Sequence, residues 1–158
     1  MNVTVKWSVI LAVVVTVLSA VVLLTGQHTS PLVGGMGSIV AAIAINLVVI
    51  YLALKETADN PYGKQLSAGA SIGAIAGLLI LVSSWLMLSF VFPDSIDEMR
   101  EGYLTWMEST GMPQAQLDQQ AQRLEQATPF SQAWPGLLGT FGTSVIGAAV
   151  IGFFVRSK

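Results

Sequence analysis

Long hydrophobic runs alternate with short polar breaks along this chain, and the runs have the length of membrane-crossing helices. No Asp, Glu, Lys or Arg occurs in residues 7–54, 65–93 or 126–155. The sequence GQHTSP at 26–31 divides the first stretch, because glycine and proline end and begin helices. A helix that crosses the bilayer needs about 20 mostly apolar residues, so the pattern predicts four spans. They are expected at about 7–26, 34–54, 66–92 and 135–155.

The composition agrees with this pattern. Only 10% of the residues are charged and 53% are hydrophobic, with a mean hydropathy of +0.69. A typical soluble domain carries about 25% charged residues. The first apolar run, 7–24, is longer than the apolar core of a signal peptide, so it is expected to remain as a span. The predicted fold is an all-α membrane protein in which four transmembrane helices form a single domain, 1–158.

The segment between the third and fourth spans, 93–134, is predicted to be a short amphipathic helical insertion. Ser95 and Glu98 have the spacing of a capping box, Gly111 is suited to end a helix, and Pro113 is suited to begin another. One face of the first helix is apolar and forms a candidate partner contact. This stripe consists of Ile96, Met99, Tyr103, Trp106 and Met107.

Three positions remain open for this stripe: the membrane interface, the outer mouth of the bundle, or the surface of a partner. Packing on the chain's own bundle is the simplest of them. The second helix has a thin apolar row and a glutamine-rich surface. That surface is suited either to solvation or to hydrogen bonding with a partner.

Basic residues are distributed unequally between the two predicted sides. One side carries Lys6, Lys55, Lys64, Arg156 and Lys158. The other carries Arg100 and Arg123, together with seven of the nine acidic residues. Because lysine and arginine favour the cytoplasmic side, we expect both termini in the cytoplasm of a bacterial inner membrane.

The sequence lacks the common catalytic and metal-binding motifs. It contains no H-E-x-x-H, G-x-S-x-G or P-loop pattern and no cysteine. A zinc site would have to combine the single histidine, His28, with Asp94 or Glu98, and an exposed loop imidazole is the simpler interpretation. The predicted spans hold no ionisable residue of the kind that proton relays and ion-coupled pumps use. We therefore expect no enzyme activity, no cofactor, no metal and no nucleic-acid partner.

Small residues recur at four-residue spacing within the spans, where they allow helices to approach closely in lipid. The candidate helix-packing residues are Gly69, Gly73, Gly77, Gly139, Gly147 and the amide-bearing Asn46. The third span is thin in its first half, and the second span is bulky in the half that would lie beside it. This complementarity predicts a tightly packed hairpin of spans two and three at the centre of the bundle. The glycine face of the fourth span is expected to serve either this bundle or another subunit.

The order of these features resembles a family of uncharacterised four-span bacterial membrane proteins, domain-of-unknown-function family 4199. The likeness lies in Gly63-Lys64-Gln65-Leu66 before the small-residue span, Phe92-Pro93-Asp94 after it, Gly111-Met112-Pro113 and Thr128-Pro129. It covers nearly the whole chain. The resemblance implies the four-span topology and no catalytic residue.

The sequence thus favours a non-enzymatic membrane protein that acts as an accessory or assembly subunit. Besides the lipid bilayer, its expected partner is another membrane protein or a second copy of the chain. The alternative is a small oligomeric channel or carrier for a neutral solute, lined by the glycine-rich faces of spans three and four.

Overall fold

A computed structural model describes residues 2–155, and every regular element in this range is helical. The four long helices are α1 (Val3–Leu24), α2 (Ser38–Glu56), α3 (Tyr62–Leu86) and α6 (Pro129–Val155). Two shorter helices, α4 (Ser95–Ser109) and α5 (Gln114–Glu125), lie between α3 and α6. A 3-10 turn at Gln27–Thr29 follows α1, and π-helical segments at Pro31–Gly37 and Met87–Val91 adjoin α2 and α3.

The four long helices, with their π-helical extensions, are long and apolar enough to cross a membrane. Their bounds are Val3–Leu24, Pro31–Glu56, Tyr62–Val91 and Pro129–Val155. Helices of this length reach across a hydrocarbon core of about 30 Å. The chain is therefore an all-helical protein whose four apolar helices indicate a multi-pass membrane protein.

All four spans begin earlier than the sequence expectation, at Val3, Pro31, Tyr62 and Pro129 rather than at about 7, 34, 66 and 135. The last helix begins at Pro129 rather than at Pro135, which lies inside it. The earlier start has a local cause: the Thr128 N–H donates to the Ser131 hydroxyl oxygen (2.8 Å), and the Ser131 N–H donates to the Thr128 hydroxyl oxygen (3.1 Å). This reciprocal pair satisfies two N–H groups at the helix start, as a capping box does.

The capping box expected at Ser95 and Glu98 is not formed. Asp94 occupies the N-cap position, and the Ser95 hydroxyl donates to the Phe92 carbonyl oxygen (2.7 Å). The Glu98 carboxylate lies against His28 instead. Gly111, with a φ of 72°, follows α4 in the left-handed conformation that glycine adopts most readily.

The long helices form a ring in the order α1, α2, α6, α3. The most extensive contact joins α3 to α6, and further contacts join α1 to α3, α2 to α6 and α1 to α2. The ring therefore has α2 and α3 on opposite sides, although they follow each other along the chain. We call the end of the ring at which α4 lies the capped end, and the end that carries residues 3–6 and 152–155 the terminal end.

The prediction of a central hairpin of spans two and three is wrong, because α3 packs against α6. A Cβ added to Gly69 would collide with the Cβ of Ala148, and one added to Gly73 would lie 2.6 Å from the Cβ of Ser144. Small residues thus face small residues, and the two helix backbones approach closely. The prediction matched the thin half of α3 with bulky side chains of α2, whereas close approach in lipid favours small residues on both partners.

The terminal end is held by polar contacts between helix ends. The Lys6 ammonium donates to the Glu56 carboxylate (2.7 Å to Oε1), and the Trp7 indole N–H donates to the same carboxylate (2.8 Å). These contacts join the start of α1 to the end of α2. Nearby, the Tyr62 hydroxyl donates to the Ala149 carbonyl oxygen (3.1 Å) and so ties the start of α3 to α6.

Candidate functional site

Asn46 forms the polar centre of the contact between α2 and α6. Its side-chain N–H₂ donates to the Thr140 carbonyl oxygen (3.0 Å), and its carbonyl oxygen accepts from the Ser144 hydroxyl (2.9 Å). Asn46 is 2% exposed and Ser144 is fully buried. The structure thus places Asn46 between two helices, and both of its polar atoms are hydrogen-bonded.

The predicted packing glycines fall into three environments. Gly69, Gly73 and Gly77 face α6, since a Cβ on Gly77 would lie 3.1 Å from the Leu137 carbonyl oxygen. Gly147 faces α2, where a Cβ would lie 2.9 Å from Cδ2 of Leu47. Gly139 is exposed, and a Cβ there would meet no atom within 4 Å. Its expected role in packing this bundle is therefore wrong, and a role toward another subunit stays a prediction.

The glycine face of α3 contacts α6, where the nearest atoms belong to Leu137, Phe141, Ser144 and Ala148. Between Gly69 and Gly77, added Cβ atoms would meet α6 at every step. The glycine face of α3 is therefore occupied within the chain, whereas a Cβ added to Gly139 or Gly142 of α6 would meet no atom within 4 Å. The lining expected for an oligomeric channel is corrected for α3, and for α6 it stays a prediction.

The apolar stripe of α4 is turned toward the chain itself. Ile96 and Met107 are buried, Met99 and Tyr103 are partly buried, and Trp106 is 39% exposed. The Tyr103 hydroxyl lies close to Gly35, where an added Cβ would come within 2.7 Å of it. Burial raises the pKa of Tyr103 above its ordinary value. The candidate partner contact is thus largely covered, and Trp106 is its exposed member.

His28 is not the exposed loop imidazole that the sequence suggests. Its side chain is only 11% exposed, and Nε2 lies 3.0 Å from Oε2 of Glu98 on α4. Its Nδ1 is buried and has no hydrogen-bond partner among the described residues. Within residues 2–155, no group of three or more His, Cys, Asp or Glu residues is arranged to hold a metal ion. His28 therefore joins the 3-10 turn to α4.

Close backbone contacts hold the 3-10 turn between α4 and the start of the second span. A Cβ on Gly102 of α4 would lie 2.9 Å from the Cβ of Thr29, and one on Gly34 would lie 2.6 Å from the Cα of His28. Both positions require glycine because the neighbouring atoms belong to the backbone or to a Cβ. The first turns of α4 are thereby held against the capped end.

A cavity of about 230 Å³ lies beneath α4 at the capped end. Its polar lining consists of Ser19, His28, Ser38, Ser84, Ser95 and Gln132. Its apolar lining includes Val22, Leu23, Met87, Leu88, Ile96 and Met99. All four long helices or their π-helical extensions contribute to it, together with the first turns of α4. Polar side chains that are far apart in the sequence thus meet at one place.

Sequence reasoning missed this cavity. Ser84 lines it, whereas the neighbouring Ser83 has a different role, because its hydroxyl is hydrogen-bonded to that of Thr16 on α1 (2.9 Å). A usable signal is the location of the serines: one lies near the end of α1, one at the start of α2 and one near the end of α3. In an alternating topology these three positions share the same end of the bundle.

A comparison with known protein families identifies the chain. The model of a family described as "Protein of unknown function (DUF4199)" matches residues 6–157, which is nearly the whole chain. The chain belongs to this family, as the resemblance in the sequence indicated. No curated protein and no solved structure matches it.

Proposed function

We propose that this member of the DUF4199 family is a non-enzymatic protein of the bacterial inner membrane that acts as an accessory or assembly subunit for another membrane protein. The insertion between α3 and α6 is the proposed contact surface, with α5 as its central part. In this proposal both termini lie in the cytoplasm, and the capped end faces away from it.

The observation that carries the proposal is the position of α5. This helix makes its principal contact with α4, through the buried Leu117 and a hydrogen bond from the Arg100 guanidinium to the Leu124 carbonyl oxygen (3.3 Å). The rest of α5 is largely exposed and rich in amide side chains. A helix held away from the bundle by one neighbour presents a surface that the fold itself does not use.

The charge of this surface supports a partner of complementary chemistry. Seven acidic and two basic residues lie between the third and fourth spans, and most of the acidic ones are exposed. Glutamine amides both donate and accept hydrogen bonds. We therefore expect the partner to carry lysine or arginine at the same side of the membrane, because complementary charge favours association.

The orientation is supported by the described basic residues. Lys6, Lys55 and Lys64 lie at the terminal end, whereas Arg100 and Arg123 lie on the helices of the capped end. Arg156 and Lys158, which also entered the sequence argument, are outside the described residues. An excess of lysine at the terminal end favours its location in the cytoplasm.

Co-purification in mild detergent tests the contact surface. The tagged chain is expected to retain a reproducible membrane-protein partner, and lysine at Gln116, Gln119 and Gln120 should remove it by reversing the local charge. Glutamate at the same three positions is the matched control and should keep the partner, since it preserves the acidic surface. Loss of the partner in both variants, retention in both, or isolation of only a closed homo-oligomer would contradict the proposal.

A further inference from the structure

Several polar side chains that line the cavity at the capped end have hydrogen-bonding capacity that the fold does not use. The Ser19 hydroxyl donates to the Val15 carbonyl oxygen (3.0 Å), and the Ser95 hydroxyl donates to that of Phe92 (2.7 Å). The Ser38 hydroxyl donates to the carbonyl oxygens of Gly34 and Gly35. A hydroxyl that has donated its proton keeps two acceptor lone pairs. These three oxygens therefore remain acceptors for a further donor.

Besides Nδ1 of His28, two polar groups of the lining have no hydrogen-bond partner in the part of the chain that the structure describes. Among the described residues, neither the Ser84 hydroxyl nor the Gln132 side-chain amide has a hydrogen-bond partner, although both line the cavity. Ser84 is partly buried and Gln132 is exposed. Partly buried polar groups in proteins are usually paired with protein atoms, water or a ligand, so the Ser84 hydroxyl is the group that calls for a partner. The lining thus offers several acceptors and at least two groups that both donate and accept.

The charge of the lining restricts what it can bind. No Asp, Glu, Lys or Arg is among the lining residues, and Nε2 of His28 already pairs with Glu98, which leaves only its Nδ1 without a partner. Burying an ion without a partner is costly, so an uncharged occupant is favoured. The volume of about 230 Å³ is below the range of about 300 to 1,000 Å³ typical of drug-sized ligands, but far above that of one water.

Two π-helical segments bound this cavity, one through Gly34 and the other through Met87 and Leu88. A π-helical turn is wider than an α-helical turn, and such turns occur frequently at functional sites. Both segments lie at the capped end of their spans, although they are about fifty residues apart in the sequence. Their shared location is a second observation that marks the cavity as a site.

We propose that this cavity binds a small neutral molecule that is rich in hydroxyl groups, of the polyol class. Its hydroxyl protons are donated to the serine oxygens, the Ser84 hydroxyl and the Gln132 amide complete its hydrogen bonds, and its carbon chain contacts the apolar half of the lining. This site is independent of the proposed role of α5, because α5 contributes no residue to the lining.

Equilibrium dialysis of the purified full chain tests the site, with radiolabelled glycerol as the probe and glycerol-free detergent buffer. The expected result is saturable binding that is weakened at least tenfold in Ser84→Met, whose longer side chain fills part of the cavity. Ser89→Met is the matched control, since Ser89 lies on the same π-helical segment as Met87 and is absent from the lining. It should bind glycerol as the wild-type chain does.

Two further measurements complete the test. Ser84→Ala, which removes one hydroxyl without adding volume, should weaken glycerol binding by about three- to tenfold. Excess unlabelled glycerate should leave glycerol binding unchanged, because the lining has no cation to pair with a carboxylate. Non-saturable uptake that is equal in the wild-type chain and in Ser84→Met would show a water-filled cavity and overturn the proposal. If glycerate competed as well as unlabelled glycerol, the inference that the site prefers an uncharged molecule would be overturned.

Discussion

At the scale of single residues, the surroundings of a glycine decide its role more than its spacing does. Gly73 and Gly139 both belong to four-residue repeats in apolar helices. An added Cβ on Gly73 would meet the Cβ of Ser144 and, at 3.2 Å, the Cα of Phe141, whereas one on Gly139 would meet open space. Substitution at the two positions should therefore have opposite consequences.

We expect Gly73→Leu to destabilise the chain by about 3 kcal/mol or more, because the α3 and α6 backbones must separate to admit the side chain. Gly139→Leu is the matched control and should change the free energy of unfolding by less than about 1 kcal/mol. Thermal unfolding in detergent measures both. Equal midpoints for the two variants would contradict the close α3–α6 contact.

At the scale of elements, the hydrogen bonds of Asn46 join α2 to α6, two helices that are parallel and far apart in the sequence. The pairs Asn46–Ser144, Leu47–Gly147 and Leu54–Gly152 advance in the same direction along α2 and α6. Because hydrocarbon offers no alternative partner to an amide, hydrogen bonds between spans help to fix which faces meet. Asn46 therefore sets the relative position of α2 and α6.

A double-mutant cycle should detect this contact. Asn46→Ala and Ser144→Ala are expected to be non-additive, with a coupling free energy of about 0.6 to 1.7 kcal/mol, which runs from the average to the largest value typical of hydrogen bonds between spans. The control cycle combines Asn46→Ala with Ser83→Ala, since the Ser83 hydroxyl is hydrogen-bonded to Thr16 on α1 and not to Asn46. Additivity in the first cycle, or coupling of equal size in both cycles, would argue against the hydrogen bond between Asn46 and Ser144.

At the scale of the whole molecule, the placement of charge relates the bundle to the two sides of a membrane. The described ionisable side chains lie near the ends of the apolar helices or on α4 and α5, and the ring between them consists of apolar and small polar residues. The terminal end carries Lys6, Lys55 and Lys64, and the capped end carries the acidic helices α4 and α5. This asymmetry gives a testable orientation.

The absence of cysteine from the sequence allows a direct measurement of that orientation. Single cysteines at Gln120 and Asn60 are expected to lie on opposite sides, because α3 crosses the membrane between them. In intact cells from which the outer membrane has been removed, a membrane-impermeant maleimide should label the cysteine at 120 at once and the one at 60 only after lysis. Labelling of both cysteines in intact cells would refute the four-span topology.

The sequence alone was sufficient to identify the family, the helical fold class and the four apolar helices. Uncharged runs of about 20 residues have few alternatives to a membrane-crossing helix, because each backbone N–H and C=O must be hydrogen-bonded within its own segment. The break at Gly111 was readable for a similarly local reason, since few residues other than glycine adopt its positive φ. Such features depend on residues close together in the chain.

Only the tertiary structure decided which helices meet and where polar groups gather. Gly69 and Gly73 were recognisable as packing residues, but their partner proved to be α6 rather than α2, because packing in lipid depends on the combined shape of two surfaces. The stripe on α4 was visible as a pattern, yet its burial depends on the 3-10 turn that Gly102 contacts. The cavity beneath α4 combines residues of the four spans, the 3-10 turn and α4. No local sequence pattern specifies such a site, because its volume exists only between helices that have already packed.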